Sequence, residues 1–377
     1  MKILIIVFTY LPEQNGVAFA AMGQKNILKK LGHEVTIFTS GKHDDIREQI
    51  YRFDISGSSR LFFSYKGQIN SLFDAIEERS WDYIFIHAWH SWPVDLVIPF
   101  LKCKKRKEKI VLFSHCLAVN LFDPSSIKSW IRYFSWRYYY WFSVENILKK
   151  IDYIIFLDRS TINRRYIDYG IAKKHNSKMM FIPNINTYNS NCKHINTISM
   201  PSNEKILICS VGNFGSDKNQ MDLLRVFIQL DSSKYHFILA GSHRNAYSKK
   251  LEKYIRNRKI HNIDLLYAPT RPDLNFLYNK MFLHVSLSRS ECQSMVSIEV
   301  ISAGKPFIAL KQNETDFLSC GIYVNSKDKI VKEIETLVAR PDVYSTICRK
   351  ALLSSRRFSE FEVSKKYVEL IDVLEAS

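Results

Sequence analysis

Ser288-Arg-Ser-Glu291-Cys-Gln-Ser-Met-Val-Ser-Ile-Glu299-Val-Ile-Ser-Ala-Gly304-Lys-Pro306 is the stretch on which the fold turns. The apolar run before it, Phe282 to Leu287, reads as a buried parallel strand. From about Ser294 to Ala303 the apolar positions move to helical spacing, with Met295, Ile298 and Val300/Ile301 near one face. Gly304 and then Pro306 stop that helix. The order is therefore strand, polar turn, helix, next strand. A helix that starts at the carboxyl end of a parallel strand directs N–H groups without intrahelical partners, and the positive end of its dipole, outward. Gln293, Ser294, Met295 and Val296 are positioned to offer such groups to a diphosphate. Glu291 precedes the helix and Glu299 lies two turns in, about 12 Å further along at ~1.5 Å per residue. Two carboxylates that far apart share neither a proton nor a metal, but they suit opposite ends of one long hydroxylated ligand. Taken alone, the spacing is also that of two solvated glutamates flanking a core helix; the surrounding pattern has to decide.

That pattern repeats along the whole chain. Lys2–Phe8 reads as a first buried strand, followed by the loop Thr9-Tyr-Leu-Pro12-Glu-Gln-Asn-Gly16-Val17, a helix ending near Leu31-Gly32, and a strand over His33–Thr39. Leu61–Ser64, Tyr83–Ala88, Ile110–Ser114, Tyr153–Leu157 and Met180–Ile182 are further strands, with helical stretches between most of them. Pro183 to Pro201 is polar, Asn-rich and aperiodic, the composition of an interdomain linker. A second series begins with a strand at Lys205–Val211, a helix to Leu230, a strand at Tyr235–Ala240 and a helix near Tyr247–Arg258. It continues with Ile263–Leu266, a helix near Leu274–Asn279, Met281–Leu287, and, past the opening stretch, Pro306–Leu310. This alternation predicts an α/β protein with two doubly wound, Rossmann-like domains. The boundaries fall at residues 1–185, a linker over 186–203, and 204–357, with a last helix within 358–377 bracing the first domain. Two such domains facing a central cleft would bind a ligand there.

Length and composition agree with two sizeable cores: 377 residues, 46% hydrophobic and 24% charged. No apolar run reaches the length of a membrane span, and Met1–Phe8 is too short for a signal-peptide core, so a cytoplasmic location is expected. The seven cysteines are scattered and form no C-x-x-C pair, which predicts reduced packing residues and no zinc. Charge is the unusual property: 54 Lys and Arg against 37 Asp and Glu, a net of +17. Such a chain is drawn to phosphorylated substrates, anionic lipid or nucleic acid. Trp130-Ile-Arg-Tyr-Phe-Ser-Trp-Arg-Tyr-Tyr-Tyr-Trp-Phe142 concentrates aromatics and arginines on one helix. With Lys102–Lys109 nearby in sequence, it reads equally as an interfacial membrane helix, with Trp130, Arg132, Trp136 and Arg137 at the surface, or as a long core helix. No nucleic-acid motif accompanies it, so nucleic acid is not an expected partner.

Taken in order, these motifs resemble the retaining glycosyltransferases of family 4 (group 1), which have the GT-B fold, over nearly the whole chain. Glu291 and Glu299 match the family's two glutamates with seven residues between them, and Ser302-Ala-Gly304-Lys-Pro306 its small-x-Gly-x-Pro ending. Val211-Gly-Asn213-Phe-Gly-Ser-Asp-Lys218-Asn219, Phe237–Gly241, Phe181-Ile-Pro-Asn184, and Tyr10-Leu-Pro12 with Gly16 match further segments. The resemblance implies that Glu291 contacts the transferred sugar and Glu299 the ribose. Lys218, with the amides near Ser294–Val296, would neutralise the diphosphate; His115 would face the sugar, Tyr267 the nucleobase, and Gly16 and Asn213 would line the donor site.

The sequence departs from the family in three places. Asn213 stands where an arginine is common, so Lys218 carries more of the neutralisation. The first-loop glycine pair is reduced to Gly16 beside Val17, and Cys292 occupies a frequent glycine position. No Asp-x-Asp occurs, and the lone pair His87/His90 makes a poor metal site, so the resemblance implies a metal-independent enzyme without a cofactor. Its implied partners are a UDP- or GDP-sugar and a saccharide acceptor; the basic, aromatic composition further suggests a lipid-linked acceptor and an anionic membrane surface at which surface polysaccharide or lipopolysaccharide is assembled. Two alternatives stay open on the same scaffold: a nucleotide-sugar epimerase, and a non-catalytic sugar-nucleotide-binding protein.

Overall fold

The computed structural model describes residues 1–13, 15–58, 64–104, 107–115, 117, 127–159, 167–190, 205–289, 291–314 and 318–376. The chain divides into two compact units, Met1–Ile185 with Glu360–Ser377, and Asn186–Ser359.

The first unit runs β1 (Lys2–Ile6), α1 (Gly16–Lys30), β2 (Glu34–Ser40), β3 (Ile50–Phe53) and a short antiparallel pair, β4 (Ile55–Ser56) with β5 (Lys66–Gly67). It continues with α2 (Ile69–Glu77), β6 (Tyr83–His87), α3 (Ile98–Cys103), β7 (Lys109–Phe113), α4 (Ile127–Tyr139), α5 (Glu145–Leu148), β8 (Tyr153–Phe156), α6 (Ile167–Lys174) and β9 (Met179–Phe181). Seven of its strands form one parallel sheet in the order β3-β2-β1-β6-β7-β8-β9. Alternation along β1 shows why the strand is apolar throughout. Leu4 and Ile6 enter the core on one face, and Ile3, Ile5 and Val7 the core on the other. A sheet covered on both sides has no polar face to expose.

The second unit runs β10 (Ile206–Val211), α7 (Gln220–Phe227), β11 (Tyr235–Gly241), α8 (Ala246–Asn257), β12 (Ile263–Tyr267), α9 (Arg271–Lys280) and β13 (Leu283–Ser286). It ends with α10 (Met295–Ser302), β14 (Phe307–Leu310), β15 (Ile322–Val324), α11 (Ile330–Ala339) and α12 (Pro341–Ser355). Its strands lie in the order β12-β11-β10-β13-β14-β15, again all parallel. The final helix, α13 (Glu360–Glu375), belongs to the first unit, where Val363, Tyr367, Leu370, Ile371 and Leu374 complete the second of its cores.

Several sequence expectations need amendment. β3, β15, α11 and α12 are absent from the sequence reading: β3 is short with two half-buried positions, and β15 is a three-residue edge strand. Most of the strand expected at Leu61–Ser64 lies outside the described residues, as do 191–203 of the expected linker. Its first residues, 186–189, are built into the second unit: Asn186 N donates to Phe358 O at 2.8 Å, and the Tyr188 ring lies 6.4 Å from that of Tyr278. Asn-rich composition marks an irregular backbone, not an unpacked one. Composition also predicts reduced cysteines throughout, whereas Cys292 is disulfide-bonded. Cys103, Cys209, Cys320 and Cys348 are free. Spacing along the chain does not tell which sulfurs a fold brings together.

Candidate active site

In each unit the strand order reverses direction once, between β1 and β6 in the first and between β10 and β13 in the second. Such a switch point separates the two loops that leave the carboxyl ends of the flanking strands, and ligands of open α/β sheets bind there. In the second unit those loops carry Lys218, after β10, and Glu291, after β13. Lys218 Nζ donates to Glu291 Oε1 in an ion pair whose side chains are 28% and 23% exposed. The pair is therefore open enough to receive a ligand yet shielded enough to matter electrostatically.

Both loops are braced. Arg289 N donates to Asp217 O at 2.8 Å, joining one loop to the other. Asn313 accepts from Glu291 N at 3.1 Å and donates to Ser288 O at 2.7 Å, a buried amide that holds the Glu291 turn. Gln220 donates to Asn213 O at 2.9 Å; Asn213 itself is exposed. Gly241, at the end of β11, permits the close fit, since a Cβ there would lie 2.6 Å from Gly212 O and 2.9 Å from the Phe214 ring. Neither Asn313 nor Gln220 is found by the sequence reading, because an amide facing a backbone leaves no spacing signal.

The helix expected from the opening stretch is α10. Ser294 is its N-cap, accepting from Ser297 N at 3.2 Å, and Gly304 ends it with a left-handed φ of 70°. Met295 and Val296 occupy its half-buried first turn, where helix geometry gives amides no intrahelical acceptor. Gln293 is buried beside them.

Glu299 is only 2% exposed and is clamped by its own unit. Its Oε1 accepts from Thr187 Oγ1 at 2.6 Å and from Arg271, and its Oε2 accepts from Tyr278 OH at 2.8 Å. Arg271 also donates to Thr187. The reading of a solvated glutamate is thus excluded. The three clamp residues escape the sequence reading, although Thr270-x-x-Asp273, a capping box, announces the helix that carries Arg271. Tyr267 ends β12, just before that helix; its hydroxyl donates to Glu252 at 2.6 Å and its ring lies 5.3 Å from Phe214.

In the first unit, His115 follows β7 with φ 46°, and its Nε2 lies 2.8 Å from Nδ1 of His87 at the end of β6. His87 Nε2 meets Gln24 Oε1 at 2.7 Å, and Gln24 Nε2 donates to Tyr367 OH of α13 at 3.2 Å. The cavity bordered by Gln24, His87, His115 and Asn184 is about 20 Å³, space for roughly one water and too little for a sugar. Gly16, expected in a loop, is instead the first residue of α1, whose N-cap Asn15 accepts from Ala18 N at 3.0 Å.

Burial pushes His115 down to about 4 and His87 well below the usual imidazole range. An unfolded imidazole takes up its proton near pH 6.5, so stability is full above that value and drains as pH falls toward 4. For His115 the loss is about 3 kcal/mol. Burial also raises Asp168, which accepts from Trp89 at 2.9 Å, to about 6, and this acts in the opposite sense over pH ~4–6. Unfolding titrations of the wild type and His115→Gln should therefore differ by a shallower acid limb in the variant. Parallel limbs would contradict a neutral imidazole at His115.

The aromatic helix α4 sorts its residues differently from expectation. Trp130 is exposed, and Ile131, Phe134 and Phe142 are 66%, 57% and 57% exposed. Trp130, Phe134 and Tyr138 of α4 and Phe142 of the π-helical turn that follows it, Tyr140–Val144, recur every four residues, a stripe along one side. Trp136 is not part of it: its ring packs 4.3 Å from His90, against the core. Arg137 is exposed and lies over the Tyr133 ring; the Arg132 side chain is outside the described residues. Among the described residues no helix is long and apolar enough to cross a membrane, and no three His, Cys, Asp or Glu side chains converge as a metal site.

Comparison with known proteins follows the same two-unit division. Residues 15–185 match the family described as Glycosyltransferase Family 4, and residues 195–315 the family described as Glycosyl transferases group 1. The alpha-monoglucosyldiacylglycerol synthase of Streptococcus pneumoniae is 24% identical over 368 residues, 91% of this chain and 80% of the relative. Sucrose-phosphate synthase from Thermosynechococcus elongatus has a TM-score of 0.74 at 15% identity, covering 100% of this chain and 99% of its own. HepE of Anabaena, solved in complex with UDP-glucose, has a TM-score of 0.68 at 13% identity, covering 99% and 100%. At such identities the structural likeness speaks to the fold.

Proposed function

Because this chain belongs to the group 1 glycosyltransferases of GT-B fold, we propose that it moves a sugar from a nucleotide-sugar donor to an acceptor with retention at the anomeric carbon. The observation that carries the reading is the Lys218–Glu291 pair at the switch point of the second unit, beside the α10 N-terminus. Lys218 and the first-turn amides neutralise the diphosphate as it leaves, so the charge is balanced without a metal. Glu291 holds sugar hydroxyls and is released to do so when the phosphate takes Lys218. A carboxylate has about four acceptor sites; Glu299 uses three in its clamp, leaving one for the ribose. For His115 we keep the role the family resemblance implies, a hydrogen bond to a sugar hydroxyl. In the transfer, the acceptor oxygen bonds to the anomeric carbon on the face from which the diphosphate departs. The bond between that carbon and the diphosphate oxygen breaks, and the acceptor proton passes to the departing phosphate.

The neighbour solved with UDP-glucose favours a uridine donor. A lipid or lipid-linked acceptor is favoured by the relative named for a glucosyldiacylglycerol product and by the exposed stripe on α4. We place the enzyme in the cytoplasm at an anionic membrane surface, in surface-glycan assembly, with Trp130, Phe134, Tyr138 and Phe142 entering the interface and Arg137 meeting lipid phosphates.

Three measurements test this. UDP-glucose should raise the melting temperature, and the product linkage should keep the donor's anomeric configuration by NMR; inversion, or transfer with no nucleotide sugar, would end the proposal. Replacing Trp130, Phe134, Tyr138 and Phe142 by serine should lower co-sedimentation with phosphatidylglycerol vesicles at least tenfold. Equal sedimentation would point to a soluble acceptor.

A further inference from the structure

The hydrogen-bond chain Tyr367–Gln24–His87–His115 lies wholly in the first unit and has a direction. Gln24 donates from Nε2 to Tyr367 OH, so its Oε1 faces His87 Nε2, which must carry the proton of that contact. The Nδ1 of a neutral His87 is then bare and can only accept. Across 2.8 Å it meets Nε2 of His115, which must therefore hold that ring's hydrogen. The remaining nitrogen, His115 Nδ1, is left as an acceptor and makes no hydrogen bond to a described residue.

Resting on the role given to His115 above, we propose that His87, oriented by Gln24 and Tyr367, is a positioning residue that locks His115 in its Nε2–H tautomer, so that Nδ1 accepts a hydrogen bond from a sugar hydroxyl and repels a phosphate oxygen. The surroundings are consistent with a device that holds orientation. His87 is 1% exposed, and its ring stacks on Phe113 at 4.9 Å and 9°. Gln24 is buried on α1 and Tyr367 on α13, so the chain is anchored by two packed helices. Burial keeps both imidazoles neutral, the state in which one nitrogen donates and the other accepts. A left-handed φ at a non-glycine residue, 46° at His115, also needs surrounding packing to hold it.

The test is a long-range proton–nitrogen correlation spectrum of the full chain labelled with ¹⁵N-histidine, in which bare and protonated ring nitrogens resonate far apart. His115 should show protonated Nε2 and bare Nδ1 at neutral pH. His87→Phe keeps the ring stack and removes the acceptor. It should turn His115 into a tautomer mixture, and lower kcat for UDP release from UDP-glucose about tenfold with KM within about twofold. His87→Gln, whose amide oxygen can replace Nδ1, should restore the single tautomer and much of the lost rate. Should His87→Phe fail to fold, Gln24→Met removes the same orienting bond and should give the same mixture. Protonated Nδ1 in the wild type, or an unchanged single tautomer in the variant that folds, overturns the proposal. Full turnover by His115→Ala would instead remove its premise, the role of His115, while the tautomer spectrum still reports the lock by itself.

Discussion

Lys218→Ala should lower kcat by roughly 10²–10³-fold while leaving the melting temperature of the free protein within a few degrees. The size follows from the work assigned to the ammonium. A preorganised donor aimed at charge that develops only as the diphosphate departs contributes about 3–4 kcal/mol to the transition state, and far less to ground-state binding. In the proposed site the dependence is heavy because Asn213 brings no charge, and the other donors proposed there are the amides of Met295 and Val296. The expected stability change is small because the Lys218–Glu291 pair is partly open to water, where ion pairs contribute about 0–1 kcal/mol. Lys218→Arg should recover only part of the rate, since a planar fork does not occupy the position of a compact ammonium. Steady-state kinetics with UDP-glucose, together with thermal unfolding of the same samples, separates the two quantities. Wild-type turnover by the alanine variant would remove Lys218 from the reaction.

The second large effect concerns Glu299, and it is on stability. Glu299→Ala leaves the Arg271 guanidinium without its carboxylate and the buried Tyr278 hydroxyl without its acceptor. Removing one partner of a buried ion pair costs about 3–5 kcal/mol. Because Arg271 is 22% exposed and can reach water, about 3 kcal/mol is expected. The double variant Glu299→Leu/Arg271→Leu should be more stable than Glu299→Ala, because both charges leave together. Glu299→Gln keeps an acceptor for Tyr278 and should cost less, yet weaken UDP binding by about tenfold if the last acceptor site holds the ribose. Denaturant unfolding of the three variants and UDP titration of the Gln variant give these numbers. A cost below about 0.5 kcal/mol for Glu299→Ala would mean the clamp does not hold the unit together.

The two glutamates show how far the chain could be read before its structure. Their separation, and the start of α10 between them, follow from local periodicity: Ser294 as cap, the apolar positions after it, Gly304 at the end. What each carboxylate touches does not. Glu291 meets Lys218, 73 residues away, and Glu299 meets Thr187, 112 residues away. The place of His115 after a strand follows from local pattern, while its partner His87 is held by Gln24 and, through Gln24, Tyr367, which lie on two helices 343 residues apart in the chain. On α4, the composition marks an aromatic helix but not its outward side, since Trp130 and Trp136 look alike until one of them is packed.

By itself, then, the sequence determined the alternation of strands and helices and the position of α10 after β13, because these depend on neighbours a few residues apart. It also carried enough ordered motifs to indicate the family. Only the tertiary structure decided the partners: that Glu299 is clamped, that Asn313 holds the Glu291 turn, that His87 orients His115, and which aromatics of α4 face solvent. Those contacts join residues that the backbone brings together across a sheet or between helices, and their strength comes from burial, which no single segment of the chain encodes.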